Sequence, residues 1–150
     1  MLRFEAPVMT LDQQAVADAN AAFYAALTTG DLDAMGDVWF PADWTECVHP
    51  GWTALRGWEA VRESWRLIFT GPTQVAVSAS EVRVRIVGDV AWVSCLERIA
   101  TTDTEQIHTS LSQATNLFVR HDGRWRMVVH HASAVPYLAP QTTTESGLVN

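Results

Sequence analysis

The chain has 150 residues, the size of one ordinary domain, with a formal net charge of -7 and two cysteines. A hydrophobic share of 48% against 18% charged residues excludes intrinsic disorder as the main state. The acidic balance argues against nucleic acid and anionic membranes as partners, and no apolar run approaches the ~20 residues of a membrane span.

Residues 1–7 lack the apolar stretch of a signal peptide, so a cytoplasmic location is expected. Cys47 and Cys95 lie outside any CxxC spacing and read as buried thiols. Seven tryptophans imply either a thick core or an aromatic-lined cavity.

Residues 11–27 read as an amphipathic helix, with Thr10 and Gln13 as a capping box and Val16, Asn20, Phe23 and Leu27 on one stripe. Thr28-Thr29-Gly30 stops it. Asp31 caps a second helix over 32–40, and Pro41 ends that one. A short strand is expected over 44–49, closed by Pro50-Gly51, with a loop to Gly57. Residues 58–69 form a third helix, with Val61, Trp65, Ile68 and Phe69 on one stripe.

Beyond Thr73 the pattern changes to alternation. Four long strands are expected over 75–87, 90–101, 109–120 and 124–133, with turn signals at Gly88-Asp89 and Asp122-Gly123. Helices followed by consecutive strands define an α+β fold: a curved, mostly antiparallel sheet wrapped around three N-terminal helices, with a cone-shaped hollow between the layers. One domain is expected, its core at about 12–133, with tails at 1–10 and 138–150.

His49 ends the short strand beside a turn. Imidazole moves protons near neutral pH, so His49 is a candidate base in the hollow; alternatively it only bonds to the adjoining backbone. His130 and His131 are adjacent on a strand and point to opposite faces. Alternation groups His131 with Trp125, Met127 and Val129 on the more apolar face, which favours His131 as the pocket residue. Slack in the preceding turn would substitute His130. Asn116, beside Phe118, could donate an amide N–H to a developing oxyanion, or bond across strands. Glu97 is read as an outer-face residue paired across strands; on the concave face instead, burial would raise its pKa and make it a candidate acid or base. Tyr24, Trp39, Trp52, Trp65, Phe69 and Phe118 are expected to line the hollow, with Trp52 as a lid. No HxxxH, HxH, HExxH, GxGxxG, Walker-type or GxSxG spacing is present, so neither a metal nor a cofactor is expected.

Four fragments carry a family resemblance: 23-FYAALTTGDLD-33, 47-CVHPG-51, 57-GWEAVRESW-65 and 122-DGRWRMVVHHAS-133. Their order and spacing, covering about residues 12–133, resemble the nuclear transport factor 2-like superfamily, whose fold is cystatin-like, and within it the SnoaL-like and ketosteroid isomerase-like proteins. The superfamily includes isomerases, polyketide cyclases, dehydratases and association domains. The resemblance implies a general base at the place of His49, where the isomerases carry Asp followed by Pro. It implies oxyanion donors near Phe23 and Tyr24 and at Asn116. The resulting expectation is a pocket for a hydrophobic, carbonyl-bearing small molecule, worked by cofactor-free proton transfer through His49, Asn116 and His131. The alternative is a non-catalytic ligand-binding or association domain. Apolar positions on the outer sheet face imply a homodimer.

Overall fold

The computed structural model describes residues 8–136. The expected C-terminal tail and most of the N-terminal one lie outside the described residues. Helix α1 (Leu11–Thr29) starts on its capping box: Thr10 Oγ1 accepts from the Gln13 amide at 3.1 Å, and Gln13 Oε1 accepts from the Thr10 amide at 3.0 Å. Asp31 caps α2 (Leu32–Val38), its carboxylate accepting from the Ala34 amide at 2.9 Å. Arg124 and Arg126 donate to the carbonyls of Asp37 and Gly36, at the negative end of the α2 dipole. Helix α2 stops two residues sooner than its spacing suggests, because Trp39 and Phe40 turn to pair with Met127.

Strand β1 (Glu46–Val48) is shorter than expected, and a second short strand, β2 (Leu55–Arg56), occupies the predicted loop. Helix α3 (Trp58–Thr70) follows, then β3 (Gln74–Val87), β4 (Val90–Thr102), β5 (Ile107–His121) and β6 (Arg124–Ala134). The six strands form one sheet in the order β2-β1-β6-β5-β4-β3. Strand β1 runs parallel to β6, and the other neighbours are antiparallel. This is the expected α+β architecture. Among the described residues no helix is long and apolar enough to cross a membrane.

Two bulges bend the sheet around the helices. One lies between Ser80 and Arg83 on β3, with Glu81 at φ 52°. The other makes Val128 an additional residue on β6, since Phe118 pairs with Met127 while Leu117 pairs with Val129. The second bulge inverts the alternation along β6. Trp125 and Met127 are buried before it, His130 and Ala132 after it. The expectation that His131 faces the interior is thereby corrected: His131 is exposed and His130 is 2% exposed. The slack lies in the strand, not in the turn before it.

The α1 stripe of Val16, Asn20, Phe23 and Leu27 is buried as its spacing predicts, and α3 contributes Val61, Ser64 and Trp65. Against them pack Val93, Cys95, Ala114, Phe118 and Met127 of the sheet. Both cysteines are free and buried. The expected hollow is occupied by side chains. Phe23 contacts Tyr24, Trp39, Trp65 and His130 with ring centroids 4.8–6.4 Å apart, and Phe69 stacks on Trp65 at 5.9 Å. The tryptophans that were to line a cavity therefore fill it: Trp39 and Trp65 are almost wholly buried.

One glycine sets the entry to α3. Gly57 adopts φ 85° and ψ 145°, a conformation essentially confined to glycine. Its N–H donates to Thr45 O at 2.8 Å, and an added Cβ would meet Asp43 O at 3.3 Å. Gly57→Ala is expected to destabilise the fold by about 1–3 kcal/mol, read as a lower urea midpoint at unchanged slope.

Candidate functional site

Five side chains from four elements meet beneath α1 in one hydrogen-bonded cluster. Asn20 and Tyr24 are four residues apart on α1 and so project from one face. Glu97 comes from β4, Asn116 from β5 and His130 from β6; Asn116 and His130 are cross-strand partners. Asn116 Nδ2 donates to Asn20 Oδ1 at 2.9 Å and to Tyr24 Oη at 3.1 Å. Tyr24 Oη in turn donates to Glu97 Oε1 at 2.8 Å and lies 3.2 Å from Cys95 Sγ. Asn116 Oδ1 faces His130 Nδ1 at 2.6 Å. A carboxamide oxygen only accepts, so Nδ1 carries the hydrogen and the lone pair of neutral His130 sits on Nε2. That lone pair lies 3.8 Å from Glu97 Oε1.

His49 stands apart from the cluster. Ser64 Oγ donates to Val61 O at 2.7 Å, so it accepts from His49 Nε2 at 2.9 Å. The free lone pair of His49 is then on Nδ1, 3.9 Å from Cys47 Sγ. The Trp65 ring separates the two histidines, with centroids 4.5 Å from His49 and 6.2 Å from His130. Trp52 leans edge-on against His49 at 4.8 Å and is 48% exposed, so it covers the imidazole from outside.

Burial governs the protonation states. It pushes His49 down to about 4 and His130 down to about 3. It also pushes Glu97 up to about 7, against a smaller opposing effect of the Tyr24 hydrogen bond. The Tyr24 phenol is raised for the same reason, with the Glu97 charge adding to it. An imidazole this weakly basic, with its lone pair toward a thiol, is poorly suited to take a proton from a substrate near pH 7. The two oxyanion donors, Tyr24 and Asn116, are committed to protein acceptors.

The structure thus joins Tyr24 and Asn116, replaces His131 by His130, and sets His49 in a separate pair with Ser64. Trp39, Trp65 and Phe118 are core, Phe69 is half-buried, and Trp52 is at the surface. Glu97, read as an outer-face residue, is 2% exposed inside. Its signal was parity: Ala91, Val93, Cys95 and Glu97 alternate on one face, and all four are buried. Asn20 and Ser64 were visible only as polar residues on otherwise apolar helix stripes.

Four surface concavities, of about 900, 520, 550 and 380 Å³, have walls that include neither His49 nor Glu97, Asn116 or His130. The smallest runs between α1 and β3 and reaches Asn20 and Tyr24. Among the described residues no group of three or more His, Cys, Asp or Glu side chains is placed to hold a metal ion.

A sheet wrapped around three helices, with polar groups meeting under the first, is the architecture of nuclear transport factor 2-like proteins. The chain belongs to the SnoaL-like domain family, which it matches over residues 16–137. A candidate dehydratase of the NTF2-like family from Streptomyces avermitilis is 35% identical, covers 84% of this chain and 97% of its own, and superposes with TM-score 0.78. A candidate calcium/calmodulin-dependent protein kinase type II association domain from Thiobacillus denitrificans is 30% identical, with coverage of 87% and 99% and TM-score 0.64. The F-box protein SKIP8 of Arabidopsis thaliana is 30% identical over 122 residues, 81% of this chain. The chain spans 50% of the length of that relative.

The depressed basicity of His49 has a sign. Its folded pKa, about 4, lies below the ordinary 6.5. The stability this imposes is complete above pH 6.5 and is lost as pH falls toward 4. His49→Gln keeps a donor for Ser64 and removes the titration. Wild-type stability is expected to fall more steeply than the variant's between pH 6 and pH 4.5, by up to ~1.4 kcal/mol per pH unit. Urea unfolding at three pH values checks this, and parallel slopes would contradict it.

Proposed function

We propose that this SnoaL-like domain is an association module that pairs with a second copy through the outer face of its sheet. The carrying observation is the closed interior: the groups able to do chemistry are hydrogen-bonded to one another or to the protein, and aromatic side chains occupy the space a substrate would need. The outer face supports the reading. Val90 pairs with Val119, Trp92 with Leu117, and Leu117 with Val129, a contiguous apolar band across β4, β5 and β6. Val90 and Trp92, at the start of the non-edge strand β4, are 42% and 37% exposed. A relative described as an association domain and one embedded in a longer F-box protein are consistent with a domain used for binding.

A second reading is favoured by one feature. Glu97 holds a proton near neutrality beside Tyr24, and the α1–β3 groove ends on Tyr24. A hydrophobic, carbonyl-bearing molecule entering there after a shift of α1 would meet an acid and a phenol suited to cofactor-free proton transfer. Of the two sequence-predicted oxyanion donors, Tyr24 lies nearer this entry than Asn116. Mass spectrometry of small molecules released from purified protein tests this reading, since a retained hydrophobic ligand would support it.

Analytical ultracentrifugation is expected to give a dimer at micromolar concentration, and Leu117→Arg a monomer with a melting temperature within a few degrees of wild type. A wild-type protein that sediments as a monomer across that range would overturn the association reading.

A further inference from the structure

We propose that Glu97 and His130 together hold one proton whose loss releases α1 from the sheet, making the contact between α1 and β3 a pH-operated opening. The basis is hydrogen-bond valence. Asn116 spends both amide hydrogens on α1, one on Asn20 and one on Tyr24, and its oxygen on His130 Nδ1. Tyr24, having accepted from Asn116, gives its hydrogen to Glu97. The hydrogens of Asn116, Tyr24 and His130 Nδ1 are then all assigned, the Asn20 amide bonds to Cys95, and one gap remains, where Glu97 Oε1 and His130 Nε2 lie 3.8 Å apart. Both atoms are acceptors unless a proton lies between them.

With one proton the pair is neutral, or is an ion pair of the same proton count. Without it, a buried carboxylate faces an imidazole lone pair, with Tyr24 Oη as its hydrogen-bond donor. Among the described residues the surrounding groups offer no compensating cation. Facing Glu97 are Tyr24 from α1, Cys95 from β4, Cys47 from β1 and His130 from β6. His130 feels in addition His49 at the end of β1 and His131 beside it on β6. Helix α3 presents Trp65 and strand β5 presents Asn116, neither of them ionisable in this range.

A buried carboxylate lowers its free energy by reaching water. The shortest route is through Tyr24, 5% exposed at the foot of the groove between α1 and β3. Hydrating Glu97 there breaks the Tyr24 hydrogen bond and displaces the α1 turn that carries Tyr24 and Asn20. At its far end α1 stays tied to β3, because Thr28 Oγ1 donates to Val77 O and accepts from Val77 N–H. The motion is a hinge about Thr28. The sign follows from the raised carboxyl: its stabilisation is complete below the ordinary 4.5 and is lost as pH rises through about 7. The device lies on the helix side of the sheet, opposite the apolar band, so it stands whether or not the domain dimerises.

The test is hydrogen exchange of the full chain, corrected for intrinsic rates, compared with Glu97→Gln. Glutamine mimics the protonated acid: it accepts from Tyr24 and can donate to His130 Nε2. In the wild type, protection of the α1 amides is expected to fall by about tenfold per pH unit above neutrality, the limit for release of one proton. In Glu97→Gln it stays flat. Equal pH dependence of α1 protection in the two proteins would overturn the proposal. Should Glu97→Gln fail to fold, infrared spectroscopy of the wild type decides. At pH 6 exposed carboxyls are ionised, so a protonated-carboxyl band that disappears between pH 6 and 8.5 together with loss of α1 protection supports the lock. Absence of that band at pH 6 overturns it.

Discussion

The structure depends on one requirement: Asn116, at the centre of the sheet, must place all its hydrogen bonds inside the protein. It is wholly buried, and leaving one such bond unmade costs on the order of 1–3 kcal/mol. Two of its bonds reach up to α1 and one reaches sideways to His130, so a single carboxamide fixes the height and rotation of α1 over the sheet. The position of Tyr24 follows from that, and the contact of Tyr24 with Glu97 follows in turn. Aromatic packing around Phe23 surrounds this network. It is less directional than the network and would tolerate small sliding that the hydrogen bonds do not.

The two faces of the sheet do not divide polarity cleanly. The inner face is mainly apolar, with Val93, Cys95, Ala114, Phe118 and Met127, yet it also carries Glu97, Asn116 and His130 beneath the helices. The outer face carries the apolar band of Val90, Trp92, Leu117, Val119 and Val129 beside the polar Ser94, Thr115 and His131. The inner polar groups are sustainable because each has a partner across an element boundary.

Much of this fold was legible in the chain. The capping box at Thr10, the Asp31 cap and the stripe of Val16, Asn20, Phe23 and Leu27 are local features, and local chemistry decides them. The four long strands follow from alternation and turns. What could not be read was strand parity. The Val128 bulge depends on how β6 accommodates β5, and no local preference of Val128 announces it. It exchanged the roles of His130 and His131. Glu97 was misplaced for a related reason: a charge on a strand argues for solvent, and only the partners supplied by α1 and β6 make burial tolerable. The hollow was misjudged because seven tryptophans are equally compatible with lining a space and with filling it, and packing decides between the two.

The Val128 bulge bears on how this strand can vary. A strand that has accepted one additional residue can also give it back, and a deletion at the bulge would restore regular pairing with Leu117 opposite Val129 and Asn116 opposite His130 as before. In most strands the loss of one residue carries an unsuitable side chain to the interior. Here the residues beyond the bulge would keep their faces, because the irregularity already absorbs one inversion of the alternation. The bulge is thus the place where β6 can shorten by one residue without unmaking the centre of the domain.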